Sequence, residues 1–167
     1  MTFQRYQQLL VKHPAYYRGR WEYIGFVSGL IAGLNPATIL ELGPAYAPIE
    51  DWADTMDLRA KGDFKVTYLT DATHTPWPIP TKRYDLFVGL QVFEHLAGCQ
   101  ADVFEEVRRV SRQAILSVPY RWQCPQDPIH HGVDDAVIRR WTADCPPWQT
   151  FGPFGAAAPR VVWYWRF

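Results

Sequence analysis

Three histidines are the clearest candidates for catalytic residues in the sequence. His95 closes one apolar string, and His130 and His131 are adjacent in a polar, proline-punctuated segment. A neutral imidazole can take up a proton near neutral pH, because the unperturbed pKa of histidine is about 6.5. Each histidine is therefore a candidate general base, and each could instead cap or brace a neighbouring helix. Metal binding with Asp127 or Cys124 is conceivable, but the spacing matches no zinc pattern and we expect no metal site.

A second group of candidates lies where a short strand should end. Residues 38–42 read as an apolar strand interrupted by Glu41, and Gly43 follows directly. Glycine, with the small residue Ala45 after it, lets backbone N–H groups approach a ligand closely. The stretch therefore indicates a ligand-binding loop, although an ordinary buried strand and turn would have the same pattern.

Acidic residues follow the next two predicted strands. Asp57 lies near the end of a strand predicted over residues 54–58, with Asp54 as the alternative. An ionised carboxylate only accepts hydrogen bonds, which suits the paired hydroxyls of a ribose. Asp71 follows a strand predicted over residues 64–69. Either carboxylate could instead cap a turn in its own loop.

Hydrophobic periodicity supplies the elements that would position these residues. Helical spacing predicts helices over residues 3–12, 18–33 and 101–110, and β-rich runs predict strands over 84–88, 114–118, 148–151 and 161–167. This alternation predicts an α/β fold: a three-layer, Rossmann-like open twisted sheet, mostly parallel with one antiparallel strand near the C-terminus.

The predicted organisation is a single domain over residues 1–167. An N-terminal helical segment or lid would cover residues 1–35, and the Rossmann-like core residues 36–167. Arg18 and Arg20 in the first part are either solvated or placed to meet an anionic group.

Three stretches in this order resemble class I S-adenosylmethionine-dependent methyltransferases, in particular small type 11-like domains. The first is residues 41–47, where Ala45 and Ala47 replace two glycines of the family motif. The second is the acidic-small pair at residues 71–72 before a proline-rich loop. The third and most specific is the string over residues 84–96, which ends in Glu-His-Leu and opens the next helix.

The resemblance implies a set of cofactor-binding residues: Glu41, Gly43, Ala45, Asp57, Asp71, Ala72 and Gln91. Asp57 would bind the ribose, Asp71 would accept the adenine amine, and the Ala72 N–H would donate to a ring nitrogen. Gln91 would approach the cofactor mostly by its backbone. Trp77 would pack on the adenine or fill the core under its loop.

The resemblance further implies methyl transfer from S-adenosylmethionine to a small-molecule acceptor, by O- or N-methylation, with S-adenosylhomocysteine as the product. We place His130 and His131 beside the acceptor, and His95 on the other side of the methyl site. Two rivals stay open: a catalytically silent cofactor-binding module that acts with a partner, and an NAD(P)-dependent oxidoreductase. The missing glycines and the short segment after the first strand disfavour the oxidoreductase.

The composition narrows the range of partners. Seventeen basic and seventeen acidic residues balance, so no nucleic acid is expected as the acceptor. No apolar stretch is long enough to span a bilayer, and no signal peptide is visible, so we expect no membrane association. Three cysteines without a Cys-x-x-Cys pair favour a reducing cytoplasmic compartment. The protein is expected to be a monomer or homodimer.

Overall fold

A seven-stranded sheet runs through the part of the chain that the computed structural model describes, residues 1–96 and 98–167. Its strands are β1 (Ile39–Leu42), β2 (Asp54–Asp57), β3 (Tyr68–Leu69), β4 (Leu86–Leu90), β5 (Gln113–Pro119), β6 (Gln149–Phe154) and β7 (Arg160–Arg166). The strand order is β3-β2-β1-β4-β5-β7-β6. Strand β7 pairs antiparallel with both β5 and β6, and the other described pairs are parallel, so one strand near the C-terminus is reversed, which confirms the predicted sheet.

Helices cover both faces of the sheet. They are α1 (Phe3–Lys12), α2 (Pro14–Tyr17), α3 (Trp21–Leu34), α4 (Gln100–Val110) and α5 (Asp135–Trp141). The prediction for α1 is confirmed, with Thr2 capping it through a hydrogen bond from Arg5 N to Thr2 Oγ1 (3.2 Å). The second predicted helix starts later than expected, because Gly19 adopts a left-handed φ of 72° and separates α2 from α3.

Alternation along the strands divides the core into two layers. Apolar residues of α4 and α5 pack on one face of the sheet, with these strand residues: Leu40, Leu42, Phe87, Leu116 and Trp163. Apolar residues of α1, α2 and α3 pack on the other face, with Ile39, Val88, Ile115, Val162 and Tyr164. Full burial of one such side chain is worth roughly 1.5–3 kcal/mol. Because a shift of one residue would move every side chain of a strand to the opposite face, this burial fixes the register of the strands.

Three connections determine where the site residues lie. Residues 43–53, between β1 and β2, contain no helix, which agrees with the prediction that the segment after the first strand is short. Strand β4 begins two residues later than predicted, because Tyr84 pairs only in an isolated bridge with Ser111. Just before β4 begins, the Asp85 carboxylate accepts hydrogen bonds from Ala37 N (2.9 Å) and Thr38 N (3.1 Å). The prediction that Glu94 and His95 open a helix is wrong: they lie in a 3₁₀ turn, and α4 begins at Gln100.

The described helices are all too short or too polar to cross a bilayer.

Candidate functional site

A cleft of about 270 Å³ lies at the carboxyl edge of the sheet, between the ends of β1, β2 and β4. The strand order reverses between β1 and β4, and open α/β sheets bind their ligands at this switch point. Five of the predicted site residues line the cleft: Gly43, Ala45, Asp57, Gln91 and His95. The sheet therefore brings together residues that the sequence separates by more than fifty positions.

The loop after β1 is held in a conformation that suits small residues. Gly43 has a φ of 64° and Ala45 a φ of 55°, both in the left-handed region. A Cβ atom on Gly43 would lie 2.8 Å from Cγ2 of Val92, which is closer than van der Waals contact. The loop thus needs glycine at residue 43 for two reasons, its backbone angle and its approach to the β4 side of the cleft.

Glu41 lies under this loop rather than in the cleft. Its carboxylate is 3% exposed and accepts a hydrogen bond from Ile49 N at 2.6 Å. Burial raises the pKa of Glu41 from its ordinary 4.5 to about 8, against the lowering effect of that hydrogen bond. Glu41 therefore ties residues 43–49 to β1 from the side of α1, α2 and α3.

Asp57 ends β2 with its side chain largely buried at the cleft. Its Oδ1 atom accepts a hydrogen bond from Arg59 N at 3.1 Å, which fixes the turn after the strand. Asp57 is 9% exposed and lines the cleft together with Lys61. An acidic side chain in this position can accept hydrogen bonds from a bound hydroxyl pair.

The structure places Asp71 and Ala72 just beyond the cleft, after β3. Asp71 Oδ1 accepts hydrogen bonds from Thr73 N (2.9 Å) and Thr73 Oγ1 (2.8 Å), and these bonds lower the pKa of Asp71. Trp77 is buried and donates from Nε1 to the Ala72 carbonyl at 2.9 Å. Of the two roles considered for Trp77, filling the core is therefore confirmed.

Gln91 connects the cleft to the C-terminal strands. It has a left-handed φ of 56°, and its backbone N–H donates to Ser117 O at 2.8 Å. Its side-chain Oε1 accepts from Arg160 Nε at 3.1 Å, and its Nε2 donates to Ser117 Oγ at 3.3 Å. These hydrogen bonds hold both the backbone N–H and the side chain of Gln91 toward β5 and β7, while the residue lines the cleft. Backbone contact between Gln91 and a cofactor stays a prediction.

A cluster of one carboxylate and two imidazoles adjoins the cleft at His95. In this cluster, hereafter the Glu94 cluster, potential ligand atoms of Glu94, His95 and His130 all lie within 4.8 Å of one another. The ring centroids of His95 and His130 are 5.2 Å apart in an edge-to-face arrangement. Our expectation that His95 lies across the methyl site from His130 is therefore wrong. Burial lowers the pKa of His95, which favours its neutral form.

Asp127 orients His130 within the Glu94 cluster. Its Oδ2 atom lies 2.6 Å from His130 Nδ1, and this hydrogen bond lowers the pKa of Asp127. An ionised carboxylate can only accept, so Nδ1 carries the hydrogen and a neutral His130 has its lone pair on Nε2. That Nε2 atom lies 3.9 Å from Glu94 Oε1.

Glu94 is buried without a hydrogen-bond partner for either side-chain oxygen among the described residues. Burial raises the pKa of Glu94 to about 8, while the charges of Arg20 and Arg160 oppose that rise. Arg20 lies over the Tyr16 ring at 4.2 Å, and its Nη1 atom donates to the Tyr23 hydroxyl at 3.3 Å. The alternative of a solvated Arg20 is thus not what the structure shows.

His131 does not join the Glu94 cluster. Its side chain is exposed, and its Nδ1 atom accepts a hydrogen bond from Cys124 N at 3.1 Å. This contact closes the loop that carries Asp127 and His130. The structural role that the sequence allowed for His131 was to cap or brace a helix, and the observed hydrogen bond instead closes the loop that precedes α5.

Sequence reasoning missed three groups near the site. Tyr16 and Lys61 line the cleft, and Arg160 lies 6% exposed with its guanidinium 5.2 Å from the Trp122 ring. An arginine at the start of an otherwise apolar strand was the available signal for Arg160, since such a charge needs a buried partner. No comparable signal marks Tyr16, which lies in the short helix α2, or Lys61, which lies in the polar loop after β2.

Solved structures with similar folds exist for nearly the whole chain. Magnesium protoporphyrin IX methyltransferase from Synechocystis matches with a TM-score of 0.61 and 13% identity, over 89% of this chain and 79% of that one. A methyltransferase from Aquifex aeolicus matches with a TM-score of 0.58 and 9% identity, over 98% and 97%. The methyltransferase domain of a bacterial Hen1 protein matches with a TM-score of 0.56 and 12% identity, over 88% and 98%.

Comparisons at the level of sequence give no relatives: no protein-family model matches the chain, and no curated protein matches it significantly. The structural matches are remote in sequence, at 9–13% identity, but each covers most of both chains. The chain therefore has the fold of the class I S-adenosylmethionine-dependent methyltransferases.

Proposed function

We propose that the protein transfers the methyl group of S-adenosylmethionine to a small-molecule acceptor, at oxygen or nitrogen. One observation carries the proposal: the cleft at the switch point of a methyltransferase fold is lined by Gly43, Asp57, Gln91 and His95. A close backbone approach, a buried ribose acceptor and a polar neighbour on the acceptor side thus meet in one place.

The proposed cofactor position follows from the order of strands along the cleft. The methionine portion would lie against Gly43 and Ala45, and Asp57 would accept hydrogen bonds from the ribose hydroxyls. The adenine would extend toward β3, because Thr70 N donates to Asp57 O at 3.1 Å and Asp71 follows directly. In this arrangement Asp71 and Ala72 hold the adenine edge, and Glu41 positions the loop from below.

The proposed acceptor position is the Glu94 cluster, which meets the cleft at His95. The acceptor atom would form a bond to the methyl carbon while the carbon–sulfur bond breaks, and the electron pair would pass to sulfur. The acceptor loses one proton if it is a hydroxyl or an amine. His130, oriented by Asp127, and His95 are the groups proposed to assist that loss.

Two further features support a small acceptor. The formal net charge of zero supplies no general attraction for a nucleic acid. Magnesium protoporphyrin IX methyltransferase, one of the similar folds, is named for a small-molecule substrate.

The three cysteines are all unpaired thiols, which supports the proposed cytoplasmic location.

Calorimetric titration of the purified protein tests the proposal. S-adenosylhomocysteine is expected to bind with roughly micromolar affinity or better, and NAD⁺ is expected not to bind. Asp57→Ala should weaken S-adenosylhomocysteine by roughly 1–3 kcal/mol, because the ribose hydroxyls lose a charged acceptor. The matched control is Asp102→Ala, which removes an exposed carboxylate of α4 that does not line the cleft and should leave the affinity unchanged.

The outcomes separate the rival functions. NAD⁺ binding in place of S-adenosylhomocysteine would favour an oxidoreductase. Binding of S-adenosylhomocysteine, but no transfer of labelled methyl to any fraction of a small-molecule extract, would favour a silent cofactor-binding module. Equal affinity in Asp57→Ala and the wild type would remove Asp57 from the ribose site.

A further inference from the structure

We infer that Glu94, His95 and His130 form a binding site for a divalent transition-metal ion. Two imidazoles and one carboxylate are a donor set that zinc and other first-row divalent metals bind readily. Bound to one ion at about 2.0–2.2 Å, such donors lie roughly 3–3.5 Å apart. The observed separations are 3.9 Å between His130 Nε2 and Glu94 Oε1 and at most 4.8 Å overall, so the three side chains would have to move closer together to bind one ion.

The first independent support is the unpartnered carboxylate of Glu94. Its side chain is fully buried, and neither oxygen has a hydrogen-bond partner among the described residues. An isolated buried carboxylate costs several kcal/mol unless a cation or donors compensate it. The described ion pairs join Glu94 only to His130, at 3.9 Å, so neither Arg20 nor Arg160 occupies the position beside the Glu94 carboxyl group that a bound cation would take.

The second support is the hydrogen bond behind His130. A histidine that binds a metal through one ring nitrogen usually donates its other N–H to a carboxylate or carbonyl, which orients the ring. Asp127 occupies that position at 2.6 Å from Nδ1, so His130 Nε2 is directed toward Glu94. The Trp122 ring packs against His130 at 5.3 Å between centroids and limits its rotation.

The charges around the Glu94 cluster permit a cation. Arg20 and Arg160 bring positive charge toward it, but Glu94 and Asp127 contribute two carboxylates. The arginines are also engaged elsewhere, Arg20 with Tyr23 and Arg160 with carbonyl oxygens of other residues. A bound dication would therefore give the Glu94 carboxylate more compensating positive charge than the two arginines give it in the empty cluster.

This inference deepens the proposed function, because a three-ligand ion keeps at least one position open for the acceptor. An acceptor hydroxyl bound there would release its proton to solvent at a lower pH than when free. The oxygen would then form a bond to the methyl carbon as the carbon–sulfur bond breaks toward sulfur. His95 lines the cofactor cleft, so the ion would lie at the edge where acceptor and cofactor meet.

Metal binding can be tested on the protein alone. The full chain, without a polyhistidine tag and after treatment with a chelator, is titrated with ZnCl₂ by calorimetry and with CoCl₂ by visible absorption. We expect one ion per chain, a cobalt spectrum typical of nitrogen and oxygen ligands, and a zinc-dependent rise in melting temperature. Glu94→Gln and His130→Gln should each weaken binding by at least about tenfold, and Asp127→Asn by roughly tenfold.

The matched control is His131→Gln, because this neighbour of His130 lies exposed and outside the Glu94 cluster, and glutamine keeps a side-chain oxygen that can accept the hydrogen bond from Cys124 N. Its zinc affinity should equal that of the wild type. Circular dichroism and melting without metal check that each variant is folded. Absence of zinc and cobalt binding would overturn the inference. Unchanged affinity in the folded Glu94→Gln and His130→Gln variants would do the same, as would an equal loss in His131→Gln.

Titration of the metal-free protein with S-adenosylhomocysteine separates this inference from the proposed function. Binding of S-adenosylhomocysteine by a protein that binds no zinc would overturn the metal site alone. Zinc binding that depends on Glu94, in a protein that never binds S-adenosylhomocysteine, would support the site and overturn the proposed methyl transfer.

Discussion

The buried carboxyl of Glu41 should make folding stability depend strongly on pH. Its folded-state pKa is about 8, against an ordinary 4.5, so the folded chain holds the proton more tightly than the unfolded chain. The resulting stability is fully present below about pH 4.5 and is lost as the pH rises toward 8. Glu41→Gln keeps an oxygen that can accept from Ile49 N and removes the ionisation.

The size of the effect follows from the two pKa values. Each tenfold change in proton affinity is worth about 1.36 kcal/mol, so the whole interval corresponds to an upper limit of roughly 5 kcal/mol. Between about pH 5.5 and pH 8, the free energy of unfolding should fall roughly 3 kcal/mol more in the wild type than in Glu41→Gln. The charges of Arg5 and Glu50 act on Glu41 in opposite directions and are common to both proteins.

Urea denaturation at a series of pH values measures this difference, because linear extrapolation gives the free energy of unfolding at each pH. Glu105→Gln is the control, since Glu105 is exposed on α4 and pairs only with Arg108 among the described ion pairs. Its pH profile should follow that of the wild type. Parallel profiles for the wild type and Glu41→Gln would refute the reasoning, because they would mean that Glu41 ionises as easily in the folded chain as in the unfolded one.

Three further predictions concern the cleft and the Glu94 cluster. Gly43→Ala should lower both thermal stability and calorimetric affinity for S-adenosylhomocysteine, because a Cβ atom meets Val92 at 2.8 Å; Val92→Ala in the same chain should restore part of each. Asp71→Asn should weaken S-adenosylhomocysteine and leave the melting temperature of the free protein unchanged; an equal loss of stability would make Asp71 a turn cap only. His130→Gln should lower turnover about 100-fold in a methyl-transfer assay while S-adenosylhomocysteine affinity stays intact, and unchanged turnover would remove His130 from the acceptor site.

The fold could be predicted from sequence where burial imposes a repeating pattern. The strands alternate between two apolar layers, so their periodicity identified the sheet and its antiparallel C-terminal pair. Element ends were less predictable where a single side chain decides them. Asp85 binds the backbone before β1, just ahead of the point where β4 begins, and the left-handed φ of Gly19 delays the start of the second predicted helix.

The cleft residues were predictable because each belongs to the end of its own strand. Parallel strands bring their carboxyl ends to one edge, so Gly43, Asp57 and Gln91 had to lie near one another once the sheet was correct. The same argument fails for Arg160, which begins an antiparallel strand and reaches the edge from the opposite direction. Its place behind Gln91 depends on a side-chain hydrogen bond that no spacing in the sequence records.

The local pattern of the sequence does not predict the Glu94 cluster. Glu94 and His95 lie in a 3₁₀ turn over residues 93–95, where the sequence predicted the start of a helix. The loop after β5 brings His130 to the same point. Since neither the turn nor the loop has a periodic signature, only the folded chain joins these groups. The same geometry places His95 at the cofactor cleft and beside the Glu94 carboxylate. A ligand bound in the cleft should therefore change the affinity of the Glu94 cluster for an ion, and a bound ion should change the affinity of the cleft by the same factor.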